Sequence, residues 1–281
     1  MSDVPARTVP AAARNGPLRV TVVSCYDYAW ATVRELSTVE GVKVVGFVQA
    51  DPPRARLRIR IRRFSRAYGP RMGLAAVASI ARKVWSALGG GRTANIVTGV
   101  PHVQLESLNS PVAIKAVESL DADLMVVDGA SILKPSFFDR PRYGAINLHC
   151  GKLPDYRGMP PAFWELYYGE REVGVSVHAV SAKLDEGAVF ASTVVPLEQT
   201  PMGDPVAYVT RFWREQLRPV GIKLIAQTVR SIADGTAVPT PQGAASRAPF
   251  RSPSFREKRE LRRRVARRRS GRRQAPGTGD A

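Results

Sequence analysis

Cysteine is nearly absent from this chain of 281 residues: Cys25 and Cys150 are the two it has, far apart in sequence. That scarcity excludes a disulfide-built secreted scaffold and any cysteine-based zinc knuckle, and makes a reducing compartment the default expectation. Long apolar runs are missing as well, and no stretch of about 18 uncharged apolar residues indicates a membrane span. Residues 1–17 are rich in Ala, Pro and Arg and lack the apolar centre of a secretory signal. A cytoplasmic protein is expected. Acid is lacking over one long stretch: between Asp51 and Glu106 there is none, against eleven Arg and Lys. A second block, residues 247–273, sets thirteen bases against Glu257 and Glu260.

Hydrophobic residues make up 44% of the chain, enough to bury a core, which excludes wholesale disorder. The formal net charge of +18 suggests at first a polyanion binder. The two basic blocks together carry more than that whole excess, however, so the remainder is mildly acidic. A nucleic-acid-binding domain whose own fold is basic does not look like this. The blocks are expected to be solvated surface, or to attract a phosphorylated or polyanionic partner such as RNA or an anionic membrane surface.

Residues 18–24 form an apolar, β-branched run that reads as a buried strand. A helical stretch over 26–39 and a second strand over 42–48 follow. Strand, helix, strand at this spacing opens a doubly wound parallel sheet, because parallel neighbours need a crossover element. The pattern over 54–88 predicts two amphipathic helices jointed at Gly69 and Pro70, with Gly89, Gly90 and Gly91 closing a basic insertion over 54–91. Further strands are expected over 102–105, 123–127, 144–149, 172–180 and 188–197. Helices are expected over 111–120, 161–168 and 204–233, the last broken near Pro219 and Gly221. Beyond Gly235 the composition turns to Pro, Ser, Gly and Arg, and order is expected to fade. The fold class predicted is α/β: a Rossmann-like, doubly wound, mostly parallel sheet with a helical basic insertion and a short basic C-terminal tail. Its divisions are a disordered segment over 1–17, one catalytic domain over 18–235 and a largely disordered tail over 236–281.

The strand ending in Asn147-Leu-His149 puts Asn147 and His149 on one face, since strand side chains repeat every two residues. Asn supplies a fixed amide donor, and His exchanges a proton near neutral pH. A carboxylate in reach would hold the imidazole oriented and charged. Such a trio suits acyl transfer to an amine, with donors stabilising the oxyanion and the acid–base pair relaying the proton. Spacing alone is also compatible with ordinary hydrogen-bonding residues at a strand end.

The wider set of residues is more specific. Ala145-Ile-Asn-Leu-His149, Leu153-Pro-Asp-Tyr-Arg-Gly158, Trp164, Gly169-Glu170, Gly174-Val-Ser-Val-His178 and Leu184-Asp-Glu-Gly187 together resemble the signature of the folate-dependent formyltransferases. This family includes methionyl-tRNA, glycinamide ribonucleotide and nucleotide-sugar formyltransferases. The resemblance is strongest over about fifty residues and extends more weakly from Leu18 to Gln242, including Asp128-Gly-Ala-Ser-Ile-Leu133. It implies the family's fold and the transfer of a formyl group from 10-formyltetrahydrofolate to a primary amine, by direct attack through a tetrahedral intermediate and without a metal. It implies Asn147, His149 and Asp185 as the catalytic trio, with Asp185 keeping His149 charged, and His178 in a supporting role. Ala130, Ser131, Ile132 and Leu133, with Gly151, Lys152, Leu153 and Pro154, correspond to the segments beside the folate. Cys150-Gly151-Lys152 departs from the small and apolar residues more usual there, and the family's chemistry needs no covalent step. The family's methionyl-tRNA members carry a second, barrel-like domain that the residues after 235 are too few to build. The acceptor expected is therefore an amino sugar or another small amine. The alternatives are a methionyl-tRNA formyltransferase-like enzyme without that domain, a formyltetrahydrofolate hydrolase, and an inactive polyanion-binding homologue.

Overall fold

The computed structural model describes residues 16–50 and 97–274. The basic insertion over 54–91 lies outside the described residues, as does nearly all of the 1–17 segment. The elements in chain order are β1 (Leu18–Ser24), a 3-10 turn (Asp27–Ala29), α1 (Trp30–Leu36), β2 (Val42–Ala50), β3 (His102–Leu105), α2 (Pro111–Ser119) and β4 (Leu124–Val127). There follow α3 (Pro135–Phe138), β5 (Ala145–His149), α4 (Phe163–Tyr168), β6 (Glu172–Ala179) and β7 (Val189–Pro196). The chain continues through α5 (Pro205–Phe212), one π-helical turn (Trp213–Leu217), α6 (Arg218–Ala233) and α7 (Phe255–Gln274).

The seven strands form one sheet in the order β3-β2-β1-β4-β5-β6-β7. β3, β2, β1, β4 and β5 run parallel, and β6 and β7 continue the sheet antiparallel. The strand order reverses between β1 and β4, so the switch point of the winding lies where their C-terminal ends diverge. β1 is covered on both faces, which is why it reads as a continuous apolar run. Val20 and Val22 pack with α1 and α6, whereas Val23 packs with Met125, Val127 and Phe137 on the other side. Local chemistry sets the helix starts: Pro111 opens α2 behind Ser110, whose hydroxyl accepts from Ala113 N at 3.1 Å. Pro219 falls in the first turn of α6, so the break expected near it is the junction with the π-helical turn.

The C-terminal segment corrects the expectation of disorder. Residues 236–254 run across the body as a strap, and α7 then packs through Leu261 and Val265, one turn apart and essentially inaccessible to solvent. Arg262, Arg264, Arg268 and Arg269 of α7 do not simply repel one another, because the body offers them oxygens. Arg264 donates to Tyr167 O at 3.1 Å and Arg268 to Leu166 O at 2.8 Å, which satisfies carbonyls left open in the last turn of α4. Arg262 forms a two-pronged pair with Asp204 at 2.8 and 3.0 Å. Ser254 and Glu257 make a reciprocal capping box at the start of α7.

Candidate active site

The C-terminal end of β5 carries the polar residues that the apolar sheet otherwise excludes. Ile146 and Leu148 face the α6 side, so Asn147 and His149 project to the opposite face. His178 sits directly across from Asn147 in the β5–β6 register. The loop from β6 to β7 folds back to bring Asp185 against both histidines. Asp185 Oδ2 lies 3.6 Å from His149 Nδ1, Oδ1 lies 3.5 Å from His178 Nε2, and Gly158 N donates to Oδ2 at 2.8 Å. Asp185 is held in the left-handed region at φ 54°. That conformation costs on the order of 1 kcal/mol for a residue with a Cβ, and such strain collects where a side chain must be aimed.

The backbone dictates how the protons are distributed. His149 Nε2 donates to Tyr156 O at 2.7 Å, which leaves Nδ1 as the nitrogen facing Asp185. His178 Nδ1 donates to Ala179 O at 2.8 Å, so its Nε2 accepts from Asn147 Nδ2 at 3.1 Å when the ring is neutral. Asn147 is thereby oriented amide-forward, and its second N–H has no partner among the described residues.

Burial pushes the His149 imidazole below its ordinary value, against the opposing pull of Asp185. The ring is therefore neutral at neutral pH, which corrects the expectation that Asp185 keeps it charged: Coulomb attraction across 3.6 Å is outweighed by loss of hydration. Burial also works against the Asp185 carboxylate, but its contacts with the His178 and His149 rings and the Gly158 N–H favour the ionised form and prevail, bringing it down to about 2. Both groups bind protons less readily in the folded chain than in the unfolded one, so both add stability that is lost on acidification. Stability should fall below about pH 6.5 as the unfolded state takes up the His149 proton, and again between about pH 4 and 2 through Asp185. Urea unfolding at pH 7, 6 and 5 checks the first part: His149→Asn should flatten the profile, and an unchanged slope would remove His149 as its cause.

The remaining expected residues divide. Gly151 is buried beneath the trio, whereas Lys152 turns away to pair with Glu172 at 2.7 Å. Leu153 and Pro154 are partly covered in the same loop, ahead of Tyr156. Ala130, Ser131, Ile132 and Leu133 follow β4, the strand beside β5, with Leu133 buried and Ile132 75% exposed. Burial pushes the Cys150 thiol up to about 12, so it stays protonated and is no nucleophile at neutral pH. His102 is structural, stacked on Phe47 and donating to Gln49 Oε1 at 2.9 Å.

Three further residues shape the site. Asn109 clamps the loop after β4, donating to Ile132 O and accepting from Lys134 N, each at 2.8 Å. Tyr156 and Gly158 act through backbone groups, which leave no side-chain signature. A Cβ added at Gly151 would collide with Tyr156 O and lie 2.5 Å from His149 Nε2. Gly151→Ala should therefore displace the imidazole and lower kcat by about tenfold or more. Steady-state kinetics beside a thermal melt check this, and an unaltered kcat would show that the ring tolerates the methyl.

A model of the family described as formyl transferase matches residues 71–212, just over half of the chain and including Asn147, His149, His178 and Asp185. The chain belongs to the formyltransferase family. Among curated proteins it is similar to the methionyl-tRNA formyltransferase of Chlorobium phaeovibrioides, 33% identical over 138 residues that cover 49% of this chain and 41% of the relative. It is also 29% identical to that of Roseiflexus sp. over 236 residues, 83% of this chain and 62% of the relative. The chain thus spans less than two thirds of the length of these relatives. Of solved structures, glycinamide ribonucleotide transformylase 1 from Symbiobacterium toebii superposes with a TM-score of 0.54 at 16% identity, covering 84% of this chain and 96% of that one. A sugar N-formyltransferase from a Shewanella species gives a TM-score of 0.52 at 12% identity, covering 88% and 87%. At these identities the likeness is one of fold, and it places the chain on the formyltransferase α/β scaffold.

Proposed function

We propose that this formyltransferase-family protein moves a formyl group from 10-formyltetrahydrofolate to a primary amine, with Asn147, His149 and Asp185 as its catalytic residues. The observation that supports this most is the convergence of an amide, a buried imidazole and a buried carboxylate at one strand end. When bound, the folate supplies the electrophilic formyl carbon. The residues present fit such a donor: Ile132 after β4 and Leu184 beside Asp185 leave apolar side chains uncovered near backbone groups able to hold a heterocycle. Ala130, Ser131, Ile132 and Leu133, with Gly151, Leu153 and Pro154, would hold it; Lys152, tied to Glu172, would stay at the margin.

Asn147 holds its second N–H toward a carbonyl oxygen that gains negative charge, and His178 prevents the amide from turning over. His149 takes a proton at Nδ1, and the imidazolium so formed is stabilised by Asp185 Oδ2. A base that is neutral at rest and has a carboxylate beside its vacant nitrogen is matched to an attacking amine, which must shed a proton. His178 thus supports the trio by orienting Asn147.

The acceptor we propose is a small amine, an amino sugar being the first to test. The strap and α7 close onto the body itself, which favours a compact acceptor over a large one. The test is a screen of amino-sugar nucleotides, glycinamide ribonucleotide, amino acids and methionyl-tRNA with 10-formyltetrahydrofolate, read by the added formyl mass. Formylated methionyl-tRNA alone would overturn the acceptor assignment. Rapid formate release without any amine would replace transfer with hydrolysis.

A further inference from the structure

The segment after α6 touches both loops on which the proposed chemistry depends. Thr240 pairs with Val189 through two backbone hydrogen bonds of 2.8 Å, which brings the chain alongside the β6–β7 loop. Gln242 then donates from Nε2 to Asp185 O at 2.9 Å and to Gly187 O at 2.7 Å. Four residues on, Ser246 donates to Asp155 Oδ1 from both N and Oγ at 2.7 Å. Arg247 lies over the rings of Tyr156 and Tyr168 at 5.0 and 4.6 Å, and its carbonyl accepts from Arg157 at 3.0 Å. Phe250 N donates to Arg157 O at 2.8 Å, forming a bridge with Gly158, and its ring stacks on Trp164. The segment therefore grips the Asp185 loop with one end and the Tyr156–Gly158 loop with the other.

These two loops bear the contacts that aim the trio. Tyr156 O fixes His149, and Gly158 N fixes Asp185. Resting on the formyl-transfer reading, we infer that residues 240–251 are a positioning strap for the catalytic trio, with Gln242 setting Asp185 and Arg247 setting the Tyr156 loop. Neither residue touches the reacting groups; each acts through another. The Gln242 amide is informative on this point. Its Oε1 is buried with no hydrogen-bond partner among the described residues, an arrangement that works against stability. A side chain present for folding alone would be better apolar, so its use lies in the two bonds from Nε2.

The test compares full-length Gln242→Met, which keeps the volume and removes the donor, and Arg247→Ala with the wild type. Arg262→Ala, which loosens α7 without reaching either loop, is the control. Two measurements are made: hydrogen exchange resolved to the Gly158 amide, and kinetics with 10-formyltetrahydrofolate and an amino-sugar nucleotide. The groups around Asp185 whose state could confound exchange are His149, His178, Arg157 and Glu186, so pH is held at 7. Exchange at Gly158 should rise at least tenfold in both variants while amides of β1 and β4 exchange as in the wild type. The kcat should fall at least tenfold with the acceptor KM within about threefold, since a misplacement of about 1 Å suffices for such a loss. The control should match the wild type in both. Unchanged exchange at Gly158 in both variants overturns the proposal, and so does faster exchange with an unaltered kcat. If the wild type transfers no formyl group, the reading of the reaction falls, and the exchange result alone decides the strap.

Discussion

Replacing His149 by alanine should lower kcat by about a hundredfold to ten-thousandfold, the range lost when a positioned acid–base group is removed. Asp185→Asn should cost about a hundredfold or more, because a proton arriving at His149 Nδ1 then finds no charge at Oδ2 to stabilise it. The asparagine keeps an oxygen for Gly158 N and has nearly the same shape, so its loss reports charge and not architecture. The two effects should not add. Once His149 is gone, removing the Asp185 charge should matter little, since one acts through the other. The acceptor KM should move far less than kcat in each variant. Near wild-type turnover in both would remove the trio from the chemistry, whatever the acceptor.

Arg218→Met should destabilise the fold by about 3–5 kcal/mol, the range for stripping one partner from a buried ion pair. Arg218, in the first turn of α6, and Asp128, just past β4, meet at 3.1 and 3.2 Å, and both side chains are at least nine-tenths covered. Asp128 also accepts from Thr32 Oγ1 at 2.6 Å, while Arg218 donates to Tyr28 O at 3.0 Å and stacks on the Tyr28 ring at 4.0 Å. This single pair ties α1, β4 and α6 together on the sheet face opposite the candidate site. The penalty is mostly that of leaving Asp128 charged and alone, so Asp128→Asn combined with Arg218→Met should cost less than the sum of the single changes. Urea unfolding of the four proteins makes the cycle, and strict additivity would show that the two groups do not depend on each other.

The contrast between the parallel sheet and the C-terminal segment shows where local reasoning carries. β1 to β7 were all legible, to within a few residues, because burial on one or both faces leaves an apolar pattern in the strand itself. Asn147 and His149 stood out for the same reason, as polar residues at the end of an apolar run. The tail departs from the disorder its composition suggests, because a block of like charges repels itself only in isolation. Its order comes from oxygens on α4 and from Asp204, none of which its own composition reveals. A local signal was nevertheless present: Ser254 followed three residues later by Glu257 is a capping box ahead of residues with strong helix preference.

The order of residues along the chain thus determined the winding of the sheet, the strand end that carries Asn147 and His149, and the concentration of charge into two blocks. Those features follow from periodicity and composition, which act over a few neighbours. The tertiary structure alone decided the protonation of His149, because burial depends on everything packed around the ring. It alone brought Asp185 and His178 up against Asn147 and His149, across thirty-odd residues of neighbouring strand and loop. It also turned a basic tail into a strap and a helix, since carbonyls and carboxylates distant in sequence had to be placed within hydrogen-bonding reach before the arginines could be anything other than a repelling run.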